Sequence, residues 1–277
     1  GERLLANMSD ERIEEVWAHP FRILKYLEFS IDGKPLSLSA GSISCSPERV
    51  EFKLEFGRMN VFSSLKESFL FVQFDLDDRR EHTIGVSFES DMRIMWPMDE
   101  AYSGDRFYGV FEKGVHFSTQ DGQMRASIVN SNPVRIEIGD DGRSVIGRFE
   151  SRFEGTGCVA IIASINGEEF PRTIDMQKEI ELARDFYTAY LERGRVRTDD
   201  RRLNEALDLA RVGAVKFRAT TPGIGTGLMA GYASSRPGWF SARPGYAWYF
   251  GRDSLWCSLA FLDIGDFETV RENLELL

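Results

Sequence analysis

The chain has 277 residues, of which 42% are hydrophobic and 28% are charged, and its formal net charge at pH 7 is −10. This composition is typical of a globular protein with one large domain or two. The acidic charge argues against a nucleic-acid partner, and no apolar run is long enough to span a membrane, so we expect neither kind of partner.

Cysteine and histidine are few and scattered along the chain. They are Cys45, Cys158, Cys257, His19, His82 and His116. The odd number and wide spacing of the cysteines fit neither a disulfide framework nor a zinc site. We therefore expect no metal, no cofactor and a reducing cytoplasmic location. The N-terminus also lacks the basic start and apolar core of a signal peptide.

The first part of the chain predicts β-strands. Residues 50–56 alternate apolar and polar side chains, as a half-buried strand does. Further strands are predicted at 69–76, 82–89, 134–138, 144–150 and 158–165. Turn signals separate them, such as Gly139-Asp140-Asp141-Gly142 and Asn166-Gly167. Many short strands with Gly and Asp turns indicate an antiparallel sandwich.

The character of the sequence changes near residue 170, where a period of 3.6 replaces the period of two. The first predicted helix, 175–193, ends at Gly194. Its apolar side is formed by Ile180, Ala183, Tyr187 and Tyr190. The second helix, 199–217, has a side of mostly small residues, on which we expect another helix to pack closely. That side consists of Leu203, Ala206, Leu207, Ala210 and Ala214.

Two more helices are predicted near the end of the sequence. Residues 253–262 carry Leu255, Leu259 and Leu262 on one side, and Gly265-Asp266 provides a stop followed by a new N-cap. The last helix has an apolar stripe made of Phe267, Val270, Leu274 and Leu277. Nothing later in the sequence covers this stripe, so we expect a continuation of the protein or a partner to cover it. We also expect the isolated chain to self-associate through these helices.

A long segment between the second and third helices has an unusual composition. Residues 220–251 hold seven glycines and seven aromatic residues, with no acidic residue, and Arg252-Asp253 follows directly. Loops of this length are uncommon in compact domains unless they are functional or disordered, and disordered segments are poor in aromatics. Flat rings next to a fixed cation and anion suit a site that binds sugars.

The residues Gly245-Tyr246-Ala247-Trp248-Tyr249-Phe250-Gly251-Arg252-Asp253-Ser254-Leu255 resemble the first conserved block of six-hairpin glycosidases. The resemblance is closest to microbial glycogen-debranching enzymes (amylo-alpha-1,6-glucosidases) and glucoamylases. It implies an N-terminal antiparallel β-supersandwich followed by the first hairpins of an incomplete (α/α)6 barrel. The expected divisions are a sandwich over 1–170, a linker helix over 171–198 and a partial barrel over 199–277. His19-Pro20-Phe21 and Met95-Trp96-Pro97 also resemble segments of the sandwich in these families.

The resemblance implies that Arg252 and Asp253 hold hydroxyl groups of the sugar in the −1 subsite. A guanidinium and a carboxylate offer donors and acceptors in fixed geometry for such hydroxyls. The alternative for Asp253 is a helix N-cap or a first-turn acid paired with Arg252. Trp248 and Tyr249 would form apolar walls for the sugar. Trp239 and Tyr246 have two equal interpretations, sugar contact and loop packing.

Inverting glycosidases need two carboxylates about 6.5–9.5 Å apart. No acidic residue lies between Asp208 and Asp253, and the resembled families take their catalytic acid and base from later hairpins. The parent protein is expected to hydrolyse an α-glucan or related oligosaccharide with inversion. We expect the isolated chain to be an inactive fragment that carries half of a substrate pocket. Two alternatives are a noncatalytic carbohydrate-binding module and a glycoside phosphorylase on the same scaffold.

Overall fold

A computed structural model of the protein describes residues 2–9, 11–38, 41–78, 80–94, 106–169, 175–231 and 247–277. Within these ranges the first part of the chain is entirely strands and turns. The strands are β1 (Leu5–Met8), β2 (Ile13–Ala18), β3 (Phe21–Leu24), β4 (Tyr26–Ile31), β5 (Lys34–Pro35), β6 (Ile43–Cys45), β7 (Val50–Leu54), β8 (Gly57–Ser63), β9 (Phe69–Leu76), β10 (Glu81–Ser90), β11 (Arg93–Ile94), β12 (Arg106–Phe111), β13 (Gly114–Thr119), β14 (Met124–Asn130), β15 (Arg135–Asp140), β16 (Val145–Glu154) and β17 (Thr156–Ile165).

These strands form two sheets in which the described pairs are antiparallel. The first sheet runs in the order β11-β3-β2-β4-β10-β16-β15, with β1 paired to β2 and β5 to β4. The second runs in the order β12-β13-β14-β17-β9-β8-β7-β6. The antiparallel β-sandwich predicted from the sequence is therefore confirmed. Each of the six predicted strand segments overlaps one strand of the structure, and the strand at 69–76 has the predicted bounds.

A single apolar core fills the space between the two sheets. Along β14 buried and half-buried residues alternate, which places Met124, Ala126 and Ile128 on the inner side. Phe88 lies between Phe117 and Phe149, with ring centroids 5.7 and 6.4 Å away, and all three rings are almost fully buried. Burial of each such side chain stabilises the fold by about 1.5–3 kcal/mol.

The second part of the chain contains four helices and a short hairpin. These elements are α1 (Met176–Glu192), α2 (Arg201–Val215), β18 (Arg218–Thr221), β19 (Gly225–Leu228), α3 (Gly251–Asp263) and α4 (Phe267–Leu276). Asp175, Asp200 and Asp266 cap three of the helices, because each side chain accepts a hydrogen bond from a backbone N–H in the first turn. None of the helices in the described ranges has both the length and the apolarity needed to cross a membrane.

Helix α1 packs on the outer side of the second sheet. Its buried residues are those predicted, Ile180, Ala183, Tyr187 and Tyr190. Ile180 enters a cluster with Phe62, Phe71 and other side chains of that sheet. Gly194 follows the helix with a φ of +49°, and an added Cβ there would lie 3.0 Å from the Cα of Ile264. The chain therefore turns closely against the connection between α3 and α4.

Two predictions for helices and one for a loop need correction. The small-residue side predicted for α2 meets another helix only near its end, where the half-buried Ala214 packs on a cluster that includes residues of α1. Leu203 on that side is 46% exposed, and the buried residues of α2 are Val212 and Val215. On α3 the predicted apolar side faces outward, and Ser254, Ser258 and Phe261 are buried instead. The segment predicted as one long loop begins as the β18–β19 hairpin. The reason is the same for α2 and α3, because periodicity identifies an apolar side but does not show which element packs against it.

Candidate functional site

The aromatic turn at residues 247–250 leads directly into α3 and contacts both the hairpin and the sandwich. The carbonyl of Trp248 accepts a hydrogen bond of 3.1 Å from the backbone N–H of Ala230. Ala247 packs with Trp17 of β2, and Trp248 packs against this pair. The turn is therefore held between β2 of the first sheet and the residues that follow β19.

Tyr249 fixes the turn to the hairpin. Its hydroxyl lies 3.0 Å from the carbonyl oxygen of Ala219, to which it donates, and 2.8 Å from Oγ1 of Thr221. The side chain is 9% exposed, and burial raises the pKa of Tyr249 to about 12. The structure thus places the predicted wall residue Tyr249 in an anchoring position with its hydroxyl occupied by the protein.

His19 of the sandwich reaches the same hydrogen-bonded group. Its Nδ1 lies 2.6 Å from Oγ1 of Thr221. The imidazole centroid is 4.9 Å from that of Trp248 and 5.8 Å from that of Tyr249. Burial lowers the pKa of His19 to about 4, an effect that the carbonyl of Ala247 partly opposes. The imidazole is therefore neutral at pH 7.

Arg252 and Asp253 lie in the first turn of α3. Their side chains are 83% and 40% exposed, and the guanidinium and carboxylate are 3.6 Å apart. Phe250 is the N-cap residue and makes no side-chain cap hydrogen bond, so Asp253 is a first-turn acid near the positive end of the helix. An exposed ion pair contributes about 0–1 kcal/mol to stability. Both groups can therefore exchange this contact for a ligand at small cost.

One turn further along α3 lies Cys257, whose thiol is exposed. Burial of part of the side chain raises the pKa of Cys257, and the nearby Asp253 carboxylate raises it further. The thiol therefore stays protonated at neutral pH, and the electrostatic field in this turn is set by the Arg252-Asp253 pair.

A buried polar cluster behind the turn holds α3, α4 and the hairpin together. Oγ of Ser254 donates to the carbonyl oxygen of Leu228 at 2.7 Å. Oδ1 of Asn273 accepts from the backbone N–H of Leu228 at 3.0 Å, and its Nδ2 donates to Oγ of Ser258 at 3.1 Å. Satisfied polar groups of this kind fix a single packing arrangement, because breaking one leaves a buried group unpaired. This cluster fixes the direction in which α3 leaves the aromatic turn.

A second buried cluster lies in the sandwich beside Trp17. Arg22 donates to Glu15 at 2.6 Å and to Asp91 at 2.5 and 3.1 Å. Nε1 of Trp17 donates to the other oxygen of Glu15 at 3.0 Å. Each of the three charged residues is less than 10% exposed, so removal of one partner would leave an uncompensated buried charge and cost about 3–5 kcal/mol. They fix the indole on which Ala247 packs.

Sequence reasoning assigned no role in the site to His19, Thr221, Ser254 or Asn273. One signal was available for Ser254 and Ser258, which are polar residues four apart in an otherwise apolar helix. Glu15 also interrupts the alternation of an apolar strand. Contacts between His19 and Thr221 join residues 202 positions apart, and no local pattern predicts them.

Some predicted residues lie outside the described ranges. Trp239 and Tyr246 belong to this group, as do Met95, Trp96 and Pro97. Within the ranges that the structure does describe, no group of three or more His, Cys, Asp or Glu side chains is arranged to hold a metal ion.

Comparison with known proteins gives structural matches only. No family model and no curated protein matches the sequence. The chain is similar in structure to a family GH92 alpha-mannosidase from Bacteroides thetaiotaomicron, with a TM-score of 0.50, 8% identity, and coverage of 80% of this chain and 39% of that one. A human-microbiome protein assigned as a kojibiose phosphorylase matches with a TM-score of 0.46, 7% identity, and coverage of 88% and 38%.

A further match is an alpha-N-acetylgalactosaminidase from Bifidobacterium bifidum, with a TM-score of 0.30, 10% identity, and coverage of 85% and 43%. The chain thus spans less than half the length of each of these three proteins. The match to the alpha-mannosidase shows a shared fold, since it extends over most of this chain. At these identities the likeness concerns fold and carries no residue assignment.

Proposed function

We propose that the chain is part of a carbohydrate-active enzyme and that residues 247–253 form part of its sugar site. The observation that carries the proposal is the arrangement at the start of α3. Arg252 and Asp253 present an exposed cation and anion 3.6 Å apart, directly after the half-buried indole of Trp248. An indole face suits a pyranose ring, and charged donors and acceptors in the same short segment suit its hydroxyl groups.

The finer proposal concerns the whole protein. We propose that it is a glycoside hydrolase that acts on an α-glucan or a related oligosaccharide with inversion. The sandwich would occupy residues 1–170, a linker helix 171–198, and the first hairpins of an (α/α)6 barrel 199–277. The order of sandwich, helix and helical hairpins supports this division, and the fold shared with the alpha-mannosidase supports it independently. A phosphorylase and a noncatalytic binding module are the competing outcomes of the test below.

Binding of a maltooligosaccharide to the 277-residue chain, followed by calorimetry and tryptophan fluorescence, tests the site. We expect Arg252→Ala and Asp253→Asn each to raise the dissociation constant about tenfold or more, because each removes a charge-assisted hydrogen bond. The matched controls are Arg201→Ala and Glu205→Gln, an exposed pair 2.7 Å apart on α2. Equal dissociation constants for the site variants and the controls would refute the proposed site.

Assay of the full gene product on the same oligosaccharide, with and without phosphate, tests the reaction. A hydrolase releases sugar of inverted configuration without phosphate. A product that forms only with phosphate would assign a phosphorylase, and binding without any product would assign a binding module. Either result would overturn the hydrolase.

A further inference from the structure

The sandwich contacts the proposed sugar site through the turn between β2 and β3. His19 lies in this turn and is 7% exposed. It contacts the hairpin through Thr221 and the aromatic turn through the rings of Trp248 and Tyr249. A residue nearly 230 positions before Trp248 in the sequence is thus among the side chains that surround it.

The directions of the hydrogen bonds in this group follow from the number of protons available. Tyr249 gives its one hydroxyl proton to the carbonyl of Ala219, so its oxygen accepts from the hydroxyl of Thr221. The oxygen of Thr221 must then accept from Nδ1–H of His19. The chain of donors therefore starts at the sandwich, and the tautomer of His19 fixes the orientation of both hydroxyl groups.

Trp248 is held from the side of the sandwich. The tilted imidazole of His19 lies 4.9 Å from it, and the pair formed by Trp17 and Ala247 packs against it. The indole is half-buried and keeps some surface open. Removal of the imidazole would leave space beside the indole, and the indole would then adopt several orientations.

We propose that His19 is a positioning residue for the sugar site, which it serves by fixing the orientation of Trp248. Its ring contacts the indole directly, and its hydrogen bond to Thr221 holds the turn that carries the indole. The proposal rests on the proposed function of residues 247–253. It assigns to the sandwich a direct part in the affinity for the sugar, beyond a role as a support for the helices.

Two substitutions separate the contributions of His19. His19→Phe keeps a ring beside Trp248 but cannot donate to Thr221, whereas His19→Asn keeps a donor close to the position of Nδ1 but loses the ring. Thr221→Val removes the central hydroxyl and keeps its shape. The matched control is His116→Asn on β13, since His116 is exposed and stacks on Phe111 outside this contact, with centroids 6.4 Å apart.

The decisive measurement is a double-mutant cycle with Trp248→Ala on the dissociation constant of a maltooligosaccharide. We expect His19→Phe and His19→Asn each to weaken binding by about three- to tenfold when Trp248 is present. Neither should weaken it further when Trp248 is alanine, because His19 acts through Trp248. Effects that simply multiply in the double variants would overturn the proposal, and so would single-variant constants equal to that of His116→Asn.

A loss of stability alone would not produce this pattern, because the weaker binding of a destabilised protein would persist when Trp248 is alanine. If His19→Phe does not unfold cooperatively, Thr221→Val takes its place in the cycle. If the unaltered chain binds no maltooligosaccharide, the proposed function fails. The near-ultraviolet circular dichroism of Trp248 then tests positioning directly, and an unchanged tryptophan signal in both His19 variants would refute it.

Discussion

Phe149 and Phe88 are fully buried in the sandwich, whereas Trp256 on α3 is 71% exposed and Leu259 is 51% exposed. Both regions are rich in apolar residues, but the two sheets cover the inner sides of each other, whereas apolar residues on the outer sides of α3 and α4 are exposed. A sandwich closes because each sheet supplies a cover for the other. A pair of helices covers only one side of each, so α3 and α4 need a further layer. We therefore expect substitutions in the core of the sandwich to affect the stability of the fold, and substitutions on the outer side of α3 to affect self-association.

The largest effect is expected in the sandwich. Phe149→Ala should lower the free energy of unfolding by about 3–5 kcal/mol, because it leaves a cavity where the ring packs on Phe88. Chemical denaturation measures this. Leu259→Ala is the matched variant on α3 and should change stability by less than about 0.5 kcal/mol. A comparable loss at Leu259 would mean that this side of α3 is buried in solution.

An intermediate effect on the free energy of unfolding is expected from a change of pH, because His19 lies where the sandwich contacts the hairpin and the aromatic turn. The pKa of His19 is lowered to about 4, so the unfolded chain takes up a proton near pH 6.5, before the folded chain does. Stability should therefore fall by about 3 kcal/mol as the pH falls from about 6.5 to about 4. Tyr249, the titratable group in contact with His19, does not titrate in this range. The difference in unfolding free energy between the unaltered chain and His19→Asn, measured across this range, isolates the effect.

For His82 in the sandwich, the pH dependence of stability has the opposite sign. It lies 2.7 Å from Asp32 and 2.9 Å from Asp78, and hydrogen bonds to these carboxylates raise the pKa of His82. Its stabilising contribution is present below pH 6.5 and is lost as the pH rises through the raised pKa. His82→Asn should therefore weaken the fold more at pH 5 than at pH 8. A loss that does not change with pH would contradict the charged bridge.

The smallest effect on stability and the largest on assembly are expected at the exposed helices. Several exposed side chains on α2–α4 are apolar, namely Leu203, Leu209, Leu255, Trp256, Leu259, Leu262, Phe267, Leu274 and Leu277. We expect the chain to self-associate, and Trp256→Glu with Leu259→Lys to reduce its mass in light scattering at nearly unchanged stability. Ile146→Lys, at a 43% exposed position on the sandwich, is the control. A clean monomer of the unaltered chain would contradict this expectation.

Six of the seventeen described strands of the sandwich were predicted, because apolar patterning along a strand and the turns that bound it are local signals. The strand at 69–76 and the buried residues of α1 follow directly from such local periods. The outward side of α3 was not predictable, since its leucines repeat like those of a buried stripe while Ser254 and Ser258 face the interior. Their burial depends on polar partners from other elements, since the carbonyl of Leu228 accepts from Ser254 and the amide of Asn273 donates to Ser258.

The candidate site was predictable in part. The composition of residues 220–251 and the resemblance of residues 245–255 identified the segment, and Arg252 and Asp253 are exposed as a binding role requires. The anchoring of Tyr249 was not predictable, because its partners lie in a hairpin. The glycines at 223–227 give no strand signal for this hairpin. The part of His19 was not predictable either, since it depends on packing between regions that are distant in the sequence.

The hydrogen bonds of the Asn273 amide affect the order in which the hairpin, α3 and α4 align during synthesis. Its partner Leu228 precedes it by 45 residues, so synthesis from the N-terminus completes the hairpin and α3, with their direct bond through Ser254, before Asn273 is present. During this interval the backbone N–H of Leu228 must find water as its partner. The hairpin and α3 can form early as separate pieces, but their final alignment is a late event that waits for α4.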